Sequence, residues 1–389
     1  MLKDLIFSRD IGIDLGTATV LVYVEGKGIA MREPSVVAID KTTDKVIKVG
    51  KEAQEMVGRT PDGIVTVRPL KTGIVNQYEV TERMLQYFIR RACGKSLMPP
   101  RIMISVPTTI SEVEERAILE AAGEAGARKT LLIRSPIAAA LGAGLNISTA
   151  IGNMTVDIGG GVTEVAVMSL GGIVVSKTVN VGGDAFDEAI VKYVRDNYNV
   201  LIGDRTAENV KIKIGDVYEH TEEKRIEVRG RDLLTGLPKT VTLSSKEMIG
   251  ATYEPMTALI DGICDIIEHT PPELVGDILH NGIVLVGGGS MLSGLDKLIE
   301  RVTGIKTVRA KNPDTCVCLG MGEKMKTIDK FFSAKLQAAR KTVLTEIRPR
   351  TLCTARSPRY IKAIKTNQSD FYEVNHELCY QRSSTEAHF

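Results

Sequence analysis

Two short stretches place an aspartate and a glycine two residues apart at the end of an apolar run. They are Asp14-Leu15-Gly16-Thr17-Ala18-Thr19 and Asp157-Ile158-Gly159-Gly160-Gly161. Phosphate chemistry accounts for this composition. Glycines in a tight turn leave backbone N–H groups free to point at an anion, and Thr17 and Thr19 add hydroxyl donors. Asp14 and Asp157 would stand at strand ends, where carboxylates can hold magnesium through its water shell, because that ion dehydrates reluctantly. Either stretch alone reads equally well as a hairpin with a capping aspartate. The pair implies two turns closing on the phosphates of one nucleotide. A third cluster, Gly287-Gly288-Gly289-Ser290-Met291, follows the apolar segment Gly282–Val286 and precedes a helical pattern from Leu292, which gives a nucleotide close access to backbone. No cluster ends in the Gly-Lys-Ser/Thr of a Walker loop, and none has dinucleotide-fold spacing.

The elements that must carry these groups come in duplicate. Asp10 to Thr19 runs into apolar Val20–Val24 and the turn Glu25-Gly26-Lys27-Gly28; Met154 to Gly161 runs into Val165–Met168 and Leu170-Gly171-Gly172. Strand, turn, strand, turn, repeated far apart in one chain, predicts two similar lobes facing each other across a cleft. Each copy is followed by strand and helix patterns, such as the apolar run Ile102–Val106, the helical Glu112 to Ala125, the strand Thr130 to Ile133 and a helix from Ala138. The fold class predicted is therefore α/β, two-lobed, with mixed sheets flanked by helices. Lobe one is expected over residues 1–145 plus a returning helix at about 315–332. Lobe two is expected over 146–314 with an insertion near 200–252.

Composition narrows the function classes. A length of 389 residues exceeds one ordinary core, and 43% hydrophobic with 25% charged residues describes a folded globular chain. The net charge of +2 is spread without a basic stripe, which argues against nucleic acid as a partner. The six cysteines are dispersed apart from Cys316-x-Cys318, too close for a zinc knuckle, and suit free thiols in a reducing cytosol. No long apolar run and no secretory signal occur, so a cytoplasmic location is expected.

In order and spacing, the hairpins, the Gly287–Met291 turn, Glu33-Pro-Ser-Val-Val37, Val181-Gly-Gly-Asp184-Ala-Phe-Asp187-Glu-Ala-Ile190, Thr206-Ala-Glu208-Asn-Val-Lys211 and Thr270-Pro-Pro-Glu-Leu-Val275 resemble the MreB family of bacterial actins over about residues 8 to 330. The resemblance implies an actin-like ATPase fold that binds ATP and Mg2+. By it, Thr17, Ala18 and Thr19 match the first phosphate loop and Gly159, Gly160 and Gly161 the second. Glu208, Asn209, Val210 and Lys211 match the segment bordering adenosine and ribose, and Gly288, Gly289, Ser290 and Met291 the turn beneath the base. It further implies a homopolymer of paired protofilaments on the inner membrane surface, where cell-wall synthesis and elongation proteins are partners and rod shape is the outcome.

Three positions depart from that family. Ser135, in Leu132-Ile-Arg134-Ser135-Pro136, stands where a glutamate associated with positioning the attacking water is usual. Val162 replaces a threonine that helps to hold that water, and Thr72 replaces an aspartate in Arg68-Pro-Leu-Lys-Thr-Gly73. A valine offers no acceptor and a serine hydroxyl is a poor base, so nucleotide binding with slow or lost hydrolysis is expected. A different class, a small-molecule phosphotransferase of the same superfamily, would need a catalytic acid or base where Ser135 and Val162 stand. A chaperone would need a substrate-binding domain that the short remainder of the chain does not supply.

Two peripheral features remain. Leu2, Leu5, Ile6 and Phe7, together with Leu97 and Met98 before Pro99-Pro100, have the bulk to enter a lipid interface, or else to pack on their own lobe. Residues 333–389 hold ten Lys and Arg against five Asp and Glu with little periodicity, which predicts a basic, disordered tail.

Overall fold

The computed structural model describes residues 10–327, apart from 72–73, 76–77, 94–98 and 220–221. Leu2, Leu5, Ile6, Phe7, Thr72, Leu97, Met98 and the basic segment 333–389 therefore lie outside the described residues. The chain opens with β1 (Ile11–Leu15), β2 (Thr19–Val24) and β3 (Gly28–Pro34). The short strands β4 (Val37–Asp40), β5 (Lys45–Val49), β6 (Ile64–Val67), β7 (Leu70–Lys71) and β8 (Ile74–Val75) follow. Helix Tyr78–Cys93, β9 (Arg101–Val106), helix Glu112–Glu124, β10 (Lys129–Arg134) and helix Ser135–Gly142 complete this part. The pattern then restarts with β11 (Asn153–Ile158), β12 (Thr163–Ser169) and β13 (Gly172–Val179). Helix Gly183–Tyr198, β14 (Val200–Leu201), helix Asp204–Ile214, β15 (Arg225–Asp232) and β16 (Pro238–Ser244) come next. Helices Ser245–Ala251, Tyr253–Glu268 and Pro272–Asn281, β17 (Ile283–Val286), helix Leu295–Thr303, β18 (Thr307–Arg309) and a helix over 316–327 end the described chain.

The repeat in the sequence is a repeat of topology. One five-stranded sheet has the order β10-β9-β1-β2-β3 and the other β18-β17-β11-β12-β13. In both, an antiparallel meander supplies three strands, and two further strands add in parallel beside its first. Leu15 pairs with Val20 and Ile158 with Thr163, so residues 16–19 and 159–162 form equivalent hairpin loops.

Period-two burial fixes what covers each face. Val20, Val22 and Val24 of β2 join Ile11, Ile13, Ile102 and Ile104 under Met84, Leu85, Phe88 and Ile89 of helix Tyr78–Cys93. Each such fully buried side chain stabilises the fold by roughly 1.5–3 kcal/mol relative to exposure. Leu21 faces the other way with Met103 and Ile133, against Ala138 and Ala139 and against Val317, Met321 and Met325 of helix 316–327. Val286 of β17 enters the same cluster, so the last described helix seals the junction of the two sheets. That helix crosses helix Ser135–Gly142 backbone to backbone. A Cβ on Gly320 would lie 1.8 Å from the Ala138 carbonyl oxygen, and one on Gly142 would lie 1.8 Å from that of Cys316. In the second sheet all of β12 is buried. Val165 and Val167 pack with Leu259, Ile263 and Ile266, and Met168 packs with Ala140 and Ile147.

Two helix boundaries differ from the sequence expectation. Helix Ser135–Gly142 begins three residues before Ala138, because Arg134 is extended at its N-cap and Pro136 has its ring-fixed φ in the first turn. The helix expected from Leu292 begins at Leu295; Gly288–Met291 is a 3-10 turn, Leu292 is extended, and Gly294 at φ 76° starts the helix.

Candidate functional site

The equivalent hairpin loops meet. A Cβ on Gly160 would lie 2.6 Å from the Ala18 Cβ, and one on Gly161 would lie 2.8 Å from Thr17 Oγ1. Only glycine permits that approach, which brings the backbone of both turns to one place. The second loop is braced from behind by the start of helix Gly183–Tyr198: Gly183 N donates to the Gly159 carbonyl at 3.0 Å and Asp184 N to that of Gly160 at 2.8 Å. Thr163 Oγ1 donates to the Val181 carbonyl at 2.7 Å and pins the segment that enters this helix. The Gly287–Met291 turn closes the floor, where a Cβ on Gly289 would lie 2.3 Å from Ile158 Cγ2.

These pieces surround a cleft of about 320 Å3, within the usual range for a small-molecule site. Its walls contain Asp14, Gly16, Thr17, Ala18, Thr19, Asp157, Gly159, Gly160, Gly161, Glu208, Lys211, Gly288, Gly289 and Met291, along with Ser135 and Val162. Three expected residues are elsewhere. Val210 is fully buried among Ile190, Val194 and Ile214, because one residue along a helix from Asn209 or Lys211 turns it toward the core. Asn209 is exposed outside the cleft wall. Ser290 is buried, with its Oγ donating to the Gly287 carbonyl at 2.7 Å, so it holds the turn.

The acids are tuned by burial. Asp14 Oδ1 accepts from Ser105 Oγ at 2.6 Å, yet burial pushes its carboxyl up to about 6. Asp157 is pushed up to about 8 by burial first and then by the charges of Glu164 and Asp14. Acids held above their ordinary range favour an arriving cation, which offsets the cost of their charge. Among the described residues no three His, Cys, Asp or Glu side chains converge as a metal cage. Asp14 and Asp157 are the carboxylates on the cleft wall that could hold magnesium, an ion usually bound by one or two carboxylates with its own waters and phosphate.

On helix Asp204–Ile214, Glu208 and Lys211 share the cleft face. Lys211 Nζ donates to Asp187 Oδ2 at 2.8 Å and to the Gly183 carbonyl at 2.7 Å, tying this helix to the start of helix Gly183–Tyr198. Burial pushes Asp187 up to about 6 against the opposing pull of Lys211. Its Oδ1 is buried without a hydrogen-bond partner, an atom costly to leave unsatisfied and placed on the cleft wall.

Sequence reasoning did not assign cleft roles to Arg32, Ser105, Ile212, Asp314 or Glu164, all of which line the cavity. Ser105 had a signal, a polar residue in the otherwise apolar Ile102–Val106 run. Glu164 was visible as the acid after Val162-Thr163 but carried no assignment. Arg68 donates to Asp184 at 2.9 Å and Arg32 pairs with Asp314, two long-range ion pairs at the rim.

The MreB/Mbl protein family model matches residues 8–333. The chain is 50% identical to the cell shape-determining protein MreB of Escherichia coli over 329 residues, 83% of this chain and 95% of that protein. It is 47% identical to the cell shape-determining protein Mbl of Bacillus subtilis over 331 residues, 85% of this chain and 99% of that protein. Among solved structures, MreB5 of Spiroplasma citri bound to ADP superposes with a TM-score of 0.81 at 37% identity, covering 84% of this chain and 98% of that one. The same protein bound to AMPPNP also gives 0.81, at 36% identity. Match length, identity and the doubled hairpin sheets agree, and this chain belongs to the MreB/Mbl family, with the family's actin-like fold.

Proposed function

We propose that this chain is an ATP-binding bacterial actin that polymerises with itself into membrane-associated filaments and helps to set rod shape by organising cell-wall synthesis. The observation that carries the nucleotide reading is the meeting of the two glycine loops over a cleft braced by a helix start. The relative from Spiroplasma citri holds ADP and AMPPNP. In this reading the loop amides of residues 16–19 and 159–162 hold the phosphates. Asp14 and Asp157 face Mg2+ through water, and the unpartnered Asp187 Oδ1 accepts from a ribose hydroxyl beside Glu208 and Lys211. The Gly288–Met291 turn lies beneath the base. Lobe one comprises 1–145 with 315–332 and lobe two comprises 146–314; binding closes them, and the closed form stacks head to tail, a contact that repeats without closing on itself.

Ser135 and Val162 both line the cleft and neither matches the water-positioning groups usual in the family. Loss of such a group costs roughly two to four orders of magnitude in rate, so the filament turns over its nucleotide slowly. The protein is cytoplasmic and peripheral to the inner face of the membrane, with Leu2, Leu5, Ile6, Phe7, Leu97 and Met98 as its lipid contacts. Among the described residues no helix is long and apolar enough to cross a bilayer. One short element binds weakly, and a polymer gains by presenting many copies. The test is sedimentation with anionic liposomes together with phosphate release, in ATP and magnesium. Nucleotide-dependent co-sedimentation with little phosphate is expected; fast phosphate release without polymer would overturn the reading.

A further inference from the structure

Ser135 and Val162 flank a third cleft group that is an acid. Glu164 lies two residues past Val162 on β12, is 5% exposed, and lines the same cavity as both. Its Oε1 accepts from Thr108 N at 2.7 Å and from Thr108 Oγ1 at 3.1 Å. Burial pushes its carboxyl up, and Thr108 and the neighbouring Ser135 hydroxyl draw it back down. Thr108 follows β9 in the first sheet, whereas Glu164 belongs to the second. The carboxylate is therefore fixed from both halves of the molecule, and it is in place only when they are together.

A carboxylate has about four acceptor directions. Thr108 N and Thr108 Oγ1 use two of these, both on Oε1, leaving acceptor capacity on a side chain that borders the cavity. The Val162 side chain has no acceptor to offer, and the Ser135 hydroxyl is a poor base. We propose that Glu164 is the water-orienting group of this chain, with Ser135 and Thr108 as the residues that position it. This rests on the nucleotide reading above and assigns the residual hydrolysis to one side chain. In the step, the oriented water oxygen bonds to the γ-phosphorus as the bond from that phosphorus to the bridging oxygen breaks. The bridging oxygen leaves with the electron pair as part of ADP. One water proton stays on the phosphate product and the other is shed to solvent.

The experiment compares the full chain with Glu164→Gln and Ser135→Ala in four readouts: AMPPNP affinity, ATP-dependent sedimentation, phosphate release, and the ratio of ADP to ATP in the sedimented polymer. Glu164→Gln is expected to bind AMPPNP within about twofold of wild type and to sediment. Its phosphate release falls by at least about a hundredfold and its polymer retains ATP, the lower end of the range for a lost acid–base or water-positioning group. Ser135→Ala, which removes the hydroxyl that draws the carboxyl down, lowers release by about twofold to fivefold. Unchanged release in Glu164→Gln overturns the proposal. So does a loss of AMPPNP binding as large as the loss of release, which would make Glu164 a binding or folding residue. If Glu164→Gln does not fold, Ser135→Ala decides, and unchanged release there overturns the proposal. A wild type that binds AMPPNP and sediments but releases no phosphate overturns this inference alone. A wild type that binds no AMPPNP overturns the filament reading with it.

Discussion

At the scale of single residues, the cleft in the proposed reading combines retained binding groups with altered reaction groups. Asp14, Asp157, the glycines of both loops and the Lys211–Asp187 pair are in place, whereas position 135 has a hydroxyl and position 162 a methylated side chain. In that reading binding depends on backbone amides and on the half-buried acids Asp14 and Asp157, which these two substitutions do not replace. Hydrolysis depends on an acceptor at one point in space, which they do. Restoring the usual pair in the double variant Ser135→Glu with Val162→Thr is expected to raise phosphate release by at least about tenfold at unchanged AMPPNP affinity, since positioned acceptors contribute factors of this order or more. Single-turnover phosphate assays beside equilibrium nucleotide titration measure the two quantities separately.

At the scale of elements, the loop of residues 159–162 owes its shape to a helix start. The loop carbonyls of Gly159 and Gly160 occupy the first amides of helix Gly183–Tyr198. Gly182, the residue before it, approaches so closely that a Cβ there would lie 2.6 Å from the Gly160 carbonyl oxygen and 2.8 Å from that of Gly159. Both obstacles are backbone and cannot swing aside. Gly182→Ala must therefore push the helix start away from the loop, with an expected loss of about 1–3 kcal/mol of stability, the usual cost of overpacking. AMPPNP affinity falls at the same time, because the loop amides lose their support. Urea melts with and without nucleotide provide the check: an alanine variant with wild-type stability and wild-type affinity would show that the loop does not lean on this helix.

At the scale of the whole molecule, contacts remote in sequence hold the cleft together. Arg68 reaches Asp184 across 116 residues at 2.9 Å, and Thr108 reaches Glu164 across 56. The Arg68–Asp184 pair is 40% and 34% exposed, so solvent screening limits it to the 0.2–1 kcal/mol of an exposed ion pair. Arg68→Ala is expected to speed nucleotide release by no more than about fivefold, which is that energy converted to a rate ratio, and the effect shrinks as salt rises. Stopped-flow displacement of a fluorescent nucleotide at low and high ionic strength tests this. A much larger effect would mean that the pair gates the cleft rather than trimming its rim.

The sequence by itself determined the parts of this protein that local chemistry dictates. The Asp-x-Gly turns, the alternating apolar strands and their repetition were enough to specify two equivalent hairpin sheets, and the lack of an acceptor at Val162 and of a good base at Ser135 was legible without coordinates. Local pattern was weaker at boundaries, where Gly294 and Pro136 moved two helix starts by three residues. Only the tertiary structure decided which neighbours in sequence share the cleft. Helical geometry turns Val210 into the core while Glu208 and Lys211 face the cavity, and the partner of Lys211 is Asp187 rather than Glu208. It also decided that Glu164 meets Thr108 and shares the cavity with Ser135. Spacing along a chain reports the conformation of one element, whereas a hydrogen bond between two sheets depends on how both are packed, and that information is distributed over the whole core.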